Sequence, residues 1–197
     1  MNIISEIVVE WLISGGVIRK EEKELYQYTV YSLILLILPL IVAAGIGVVL
    51  GSVSQGIMVA LPFLFLRKYS GGYHAKKIQY CFIASGIVLF LSILLSMHLK
   101  IDWGMIIVTS ISKGGLIIFS PIDHENKRLT ECEKKLYKEK VIIQIMVFSI
   151  IECILFYFGQ YKCVVCLAVG IQLSAVLQIP CIIATYLNDQ KTKKNVV

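Results

Sequence analysis

Residues 141–158 read VIIQIMVFSIIECILFYF, a run long and apolar enough to cross a bilayer as one helix, for which about 17 to 25 residues suffice. Five other runs share its character: Tyr31 to Leu50, Ser54 to Leu66, Tyr80 to Leu99, Trp103 to Phe119 and Val164 to Leu187. The chain as a whole is 57% hydrophobic and 16% charged, with a mean hydropathy of +0.80, whereas soluble domains carry about a quarter charged residues. The expectation is an all-α polytopic membrane protein, a single domain over residues 1–197 with about six transmembrane helices. The Ser54–Leu66 run is short, so its helix must be little tilted, extended by Ser52 or Tyr69, or partly re-entrant. Pro39, Pro62 and Pro180 fall inside runs and predict kinks.

Nothing at the N-terminus reads as a cleavable signal peptide, because Glu6 and Glu10 interrupt the first apolar residues. Instead Ile3, Ile4, Ile7, Val8, Trp11 and Leu12 recur at helical spacing and predict an amphipathic interfacial helix. Its polar face carries glutamates rather than Lys or Arg, so attraction to anionic lipid is not what holds it. A surface helix packed on the bundle and a docking helix for a peptide are both open readings.

Charge sets the orientation, since Lys and Arg accumulate on the cytoplasmic side. The N-terminal segment (Arg19, Lys20, Lys23), the loops at 67–77 and 127–140 and the C-terminal tail together hold sixteen basic residues, against Lys100 and Lys162 on the other side. Both termini and the two basic loops are therefore expected in the cytoplasm of a bacterial cell, in a multi-pass cell-membrane protein. The net charge of +6 is a topology and lipid-headgroup signal, which implies membrane lipid as a partner and not nucleic acid.

Of the six cysteines, Cys81 and Cys132 face a reducing compartment and Cys153, Cys166 and Cys181 fall in spans, which argues against disulfides. Cys163 and Cys166 have CxxC spacing, read either as small apolar packing or as a redox pair. Lys113 lies in a span beside Gly114 and Gly115; it can snorkel to the cytoplasmic end of its helix or line an internal wet cavity. Between spans, Thr130 and Glu133 have the spacing of a helix capping box.

The segment 67–81, RKYSGGYHAKKIQYC, carries the chemistry. Cys81 falls in the first turns of a span, where free backbone amides and nearby Lys76, Lys77 and His74 favour the thiolate. Those amides, or Gln79, are placed to receive an oxyanion. On a continuous helix His74 and Cys81 would stand about 10 Å apart, so the segment must bend back for His74 to act as base. One His and one Cys are two of the four ligands that zinc wants, and no metal or other cofactor is expected.

These residues resemble a known signature. Arg67-Lys68-Tyr69, Gly71-Gly72, His74-Ala75 and Cys81 fall where the accessory gene regulator B (AgrB) family has them. A second stretch, SPIDHENKR at 120–128, is similar to that family's loop at Pro121, Asp123, Glu125, Asn126 and Lys127, and departs at Arg128, where many members have proline. The resemblance implies a membrane cysteine endopeptidase acting in quorum sensing on an AgrD-type propeptide, with His74 and Cys81 catalytic and no cofactor. It implies a thioester acyl-enzyme that cyclises to a thiolactone or lactone. Asp123 is a candidate third member of the site, and Lys76, Lys77, Gln79, Lys127 and Arg128 are candidates for substrate contact. A homodimer is a candidate assembly. The competing classes are a small permease or peptide exporter without proteolytic activity, for which Cys81 would be dispensable, and a non-catalytic membrane scaffold.

Overall fold

The computed structural model describes residues 3–70, 78–122 and 130–194, and these segments are helical apart from short connections. Residues 1–42 form one compact unit and residues 43–197 a second. The first holds α1 (Ile3–Ser14), a 3-10 turn (Lys20–Glu22) and the start of α2 (Lys23–Val49). The amphipathic α1 is present, but the face it buries contains Ser5 and Val9, while Ile7, Val8 and Trp11 stay exposed. Periodicity finds a helical stripe without saying which side meets protein; exposed Ile7 and Trp11 suit a helix lying in a bilayer interface. Glu10 of α1 pairs with Lys23 at 3.3 Å, a contact too exposed to contribute more than a fraction of a kcal/mol, roughly 0–1. An open depression of about 480 Å³ adjoins that pair, lined also by Ile13, Ser14 and Lys20.

The second unit takes the end of α2 and α3 (Val53–Ser70), α4 (Ile78–His98), α5 (Trp103–Phe119), α6 (Glu131–Tyr157) and α7 (Tyr161–Lys194). Local chemistry marks the ends. Asp102 caps α5 by accepting the Met105 amide at 2.7 Å, and Thr130 and Glu133 form the expected capping box at the start of α6. The turns after α2 and α6 use Gly51 and Gly159 at φ of 76° and 72°, a conformation costly for other residues. Helix α3 runs through to Ser70, so the short second run is lengthened at its Tyr69 end. Helices α2, α3 and α7 each continue through their prolines.

Helix α7 is apolar on all sides and is buried accordingly: Val165 through Ile171 is almost wholly enclosed, with α3, α4, α5 and α6 packed around it. Small residues permit the closest approach. A side chain at Gly170 would collide with the Val59 carbonyl and the Pro62 ring of α3, the backbone-to-backbone packing that membrane helices use in place of a hydrophobic drive. Gly56 meets the Ala43 carbonyl in the same way across the α2–α3 hairpin. Leu66, Leu116, Val141, Ile145, Phe148, Leu167 and Ile171 complete the core.

Side-chain contacts fix the helix directions. Val59 and Pro62 meet Gly170 while Ser70 meets Gln178, so α3 and α7 run the same way. Thr109 meets Gln172 and Ser120 meets Gln178, so α5 runs with them. Helix α6 runs opposite, since Tyr137 lies by Tyr69 near the end of α3 while Ser149 and Glu152 lie by Lys113. Helix α4 also returns, carrying Ser96 to Cys166 near the start of α7. Such alternation is what successive crossings of one layer require. Helix α6 and the Tyr161–Ile183 part of α7 are long and apolar enough to span a membrane, and Trp103–Phe119, Ser85–His98 and Ile37–Val49 are shorter apolar stretches.

Gly170→Val is expected to destabilise the folded chain in detergent micelles by about 1–3 kcal/mol or more, through overpacking against α3. Gly45→Ala, where an added Cβ meets open space, is expected to leave the thermal midpoint unchanged or slightly raised. Equal midpoints for the two variants would contradict this packing.

Candidate functional site

At one end of the bundle α3 and α5 terminate beside each other and beside the first turns of α6. The basic segment Arg67-Lys68-Tyr69 closes α3. The Arg67 guanidinium lies 5.4 Å from the Phe63 ring centroid. Tyr69 packs edge-on against Tyr137 of α6 at 5.7 Å, with the Lys140 ammonium 4.9 Å from its ring centroid, a geometry in which the ring face attracts the cation. The last turn of α3 is thus fastened to α6 through an aromatic ring.

The next residue is fastened more tightly. A helix leaves its last carbonyls without donors, and the Ser70 carbonyl finds two elsewhere. The Ile122 amide, just past α5, donates to it at 3.2 Å. So does the Gln178 side-chain amide of α7, also at 3.2 Å, while donating to the Ser120 hydroxyl at 3.0 Å. Ser70, Ser120 and Gln178 are all buried. The peptide bond between Ser120 and Pro121 is cis.

The two segments that hold the candidate residues continue from this junction. Residues 71–77 follow Ser70 and residues 123–129 follow Ile122. His74, Lys76, Lys77, Asp123, Lys127 and Arg128 lie outside the described residues; Gln79 and Cys81 lie in the first turn of α4, of which the backbone alone is described. The structure therefore brings together the roots of the two loops. Gln178 is a residue that sequence reasoning missed. Its signal was a lone amide within an apolar run, where a polar group is costly unless hydrogen-bonded. Among the described residues no group of three or more His, Cys, Asp or Glu is placed to hold a metal.

A second polar feature lies deeper. The Lys113 ammonium pairs with a Glu152 carboxylate oxygen at 2.5 Å and the Ser149 hydroxyl at 2.9 Å, so it does not snorkel. The pair borders a cleft of about 110 Å³ whose lining also includes Thr109, Ser110, Val164 and Ala168, and the other Glu152 oxygen is buried with no partner among the described residues. In the CxxC pair, Cys166 is buried and its thiol lies 3.7 Å from the Ser96 hydroxyl, which fits the packing reading.

Comparison with known proteins places the chain in a family. The sequence model of the family described as Accessory gene regulator B matches residues 5–179. The chain belongs to the AgrB family. It is similar to AgrB-like protein 2 of Clostridium perfringens strain 13, 26% identical over 94% of this chain and 92% of the relative. An AgrB-like protein of Clostridium perfringens strain SM101 is 28% identical over the same shares. One from Listeria monocytogenes is 27% identical over 66% of each chain. No solved structure matches. AgrB membership implies a membrane-associated protein with a role in processing an accessory-gene-regulator propeptide. The matched region contains both loops, Lys113, Glu152 and Gln178.

Breaking the part-buried ion pair strands a charge, so Lys113→Met is expected to destabilise the chain by less than the roughly 3–5 kcal/mol of a fully buried pair, while the double change Lys113→Met, Glu152→Met recovers most of the loss. Thermal unfolding in nanodiscs checks this; a double variant no more stable than the single would remove the pairing from the account.

Proposed function

We propose that this AgrB-family chain is a membrane-embedded cysteine endopeptidase that releases the acidic C-terminal tail of an AgrD-type propeptide and cyclises the remainder. The single observation that carries the reading is the Ser70–Ile122–Gln178 junction, because it roots the His74 loop and the Asp123 loop at one point. Asp123 directly follows Ile122, and His74 is four residues beyond Ser70, a reach of at most about 14 Å at 3.6 Å per residue. In this reading residues 1–197 work as one peptidase domain with six spans, and both termini and the junction face the cytoplasm. The alternating helix directions and the basic residues at the junction, Arg67, Lys68 and Lys140 among them, support that topology.

The chemistry follows from the groups. His74 takes the Cys81 thiol proton, and the thiolate attacks the carbonyl carbon joining the signal segment to the tail. Backbone amides at the start of α4 face the developing oxyanion. The C–N bond breaks, His74 returns the proton to the departing amine, and a thioester to Cys81 remains. An internal Cys or Ser of the substrate, deprotonated by His74, then attacks that thioester; Cys81 leaves, and the product is a thiolactone or lactone. Ring closure outruns hydrolysis because the internal nucleophile is held at high effective concentration. Asp123 orients His74 and stabilises its charged form. Lys76, Lys77, Lys127 and Arg128 attract the acidic tail, and Gln79 contacts the substrate.

The part-buried Lys113–Glu152 pair beside a mainly apolar cleft favours a second reading, a peptide exporter, since ionisable groups inside spans mark transport pathways.

Purified chain in liposomes, incubated with the propeptide encoded beside it and followed by mass spectrometry, separates the two. The wild type is expected to release the tail and carry a transient adduct on Cys81. Cys81→Ala is expected to be inactive, and His74→Ala slower by about 10²–10⁴-fold. Asp123→Asn with full activity would remove Asp123 from the mechanism. Transport that persists in Cys81→Ala with no cleavage by wild type would favour the exporter.

A further inference from the structure

We propose that Gln178 is a positioning residue for the reaction: its one amide group, bonded to the end of α3 and the end of α5, holds in register with α7 the two helix ends from which the chain runs on to His74 and to Asp123. The proposal rests on the peptidase reading.

Three observations carry it. First, the two N–H bonds of a planar amide point in fixed directions, and here each is used on a different helix terminus, the Ser70 carbonyl and the Ser120 hydroxyl, at 3.2 and 3.0 Å. A change in the distance between those termini must break one of the bonds. Second, capping α3 does not require this residue, because the Ile122 amide already donates to the Ser70 carbonyl. That same bond already joins the exit of α5 to the end of α3; what Gln178 adds is a second tie, through Ser120, that references both ends to α7. Third, Gln178 is 2% exposed, Ser120 4% and Ser70 0%. At such low exposure water competes little for these groups, and buried hydrogen bonds of this kind hold their geometry. Helix α7 is itself held by the whole bundle, so the gauge between the loops is mounted on the most enclosed element of the fold. A nucleophile and base displaced by about 1 Å can lose on the order of a hundredfold in rate, and that sensitivity gives such a gauge a catalytic consequence.

The test uses the full chain in liposomes with three variants. Gln178→Met keeps the side-chain length and removes both donors. Ser120→Ala removes one acceptor and serves if the first fails to fold. Ile145→Ala, in the core away from the junction, provides a comparable loss of thermal stability. Single-turnover tail release, propeptide affinity and the pH profile of Cys81 alkylation, read by mass spectrometry of the Cys81 peptide, are measured for each. Gln178→Met is expected to slow tail release about a hundredfold with unchanged propeptide affinity, and to shift the alkylation profile to higher pH. Ser120→Ala should fall between it and wild type, and Ile145→Ala should keep the wild-type profile. A wild-type release rate and profile in Gln178→Met would overturn the proposal, as would equal changes in Ile145→Ala, which would make the role purely one of stability. If the wild type itself releases no tail, the peptidase reading fails separately; the alkylation profiles still report whether Gln178 controls the surroundings of Cys81, and identical profiles would then overturn the proposal.

Discussion

The contact between Gly170 of α7 and the Val59–Pro62 turn of α3 sets the position of everything that follows it along both helices. With no side chain between the two backbones, the helices pack at a separation that neither could reach with even an alanine at this place. Because α3 and α7 run in the same direction, the register fixed at Gly170 carries forward to Gln178 and Ser70, and the hydrogen bond between them falls where both helices are buried. In a bilayer, where lipid is as apolar as the helices, such close packing and a few interhelical hydrogen bonds replace the hydrophobic force that assembles soluble bundles.

The polar groups of the bundle follow the same logic at two depths. At the end where α3 and α5 stop, the Ser70 carbonyl, which water would satisfy in a soluble protein, is satisfied by a side chain from α7 and an amide from the α5 exit. Deeper, Lys113 is matched by Glu152 and Ser149, so that a charge within an apolar helix is held by another charge and a hydroxyl. One arrangement joins two helix ends to α7 and the other borders a cleft.

Much of this was legible in the sequence where the signal is local. The bounds of the α5 helix match the apolar run Trp103–Phe119 residue for residue, since Asp102 and Ser120 bracket it. The Thr130–Glu133 capping box depends on four consecutive residues and was readable for that reason. The extension of the short second helix to Tyr69 and beyond was one of the options that length alone allowed. The buried face of α1 was not readable, because an apolar stripe next to a membrane can face lipid as well as protein, and Ile7 and Trp11 face outward.

The sequence by itself determined the all-helical class, the placement of the apolar runs, the basic clustering and the stretch holding His74 and Cys81 that resembles the AgrB signature, because each of these is carried by neighbours along the chain. Only the tertiary structure decided which side of α1 is buried, that Lys113 is answered by a glutamate 39 residues away, and that Gln178, more than a hundred residues from Ser70, ties together the roots of the two loops. Those are pairings across the bundle, and helix packing at small residues, which no local pattern encodes, is what selects them.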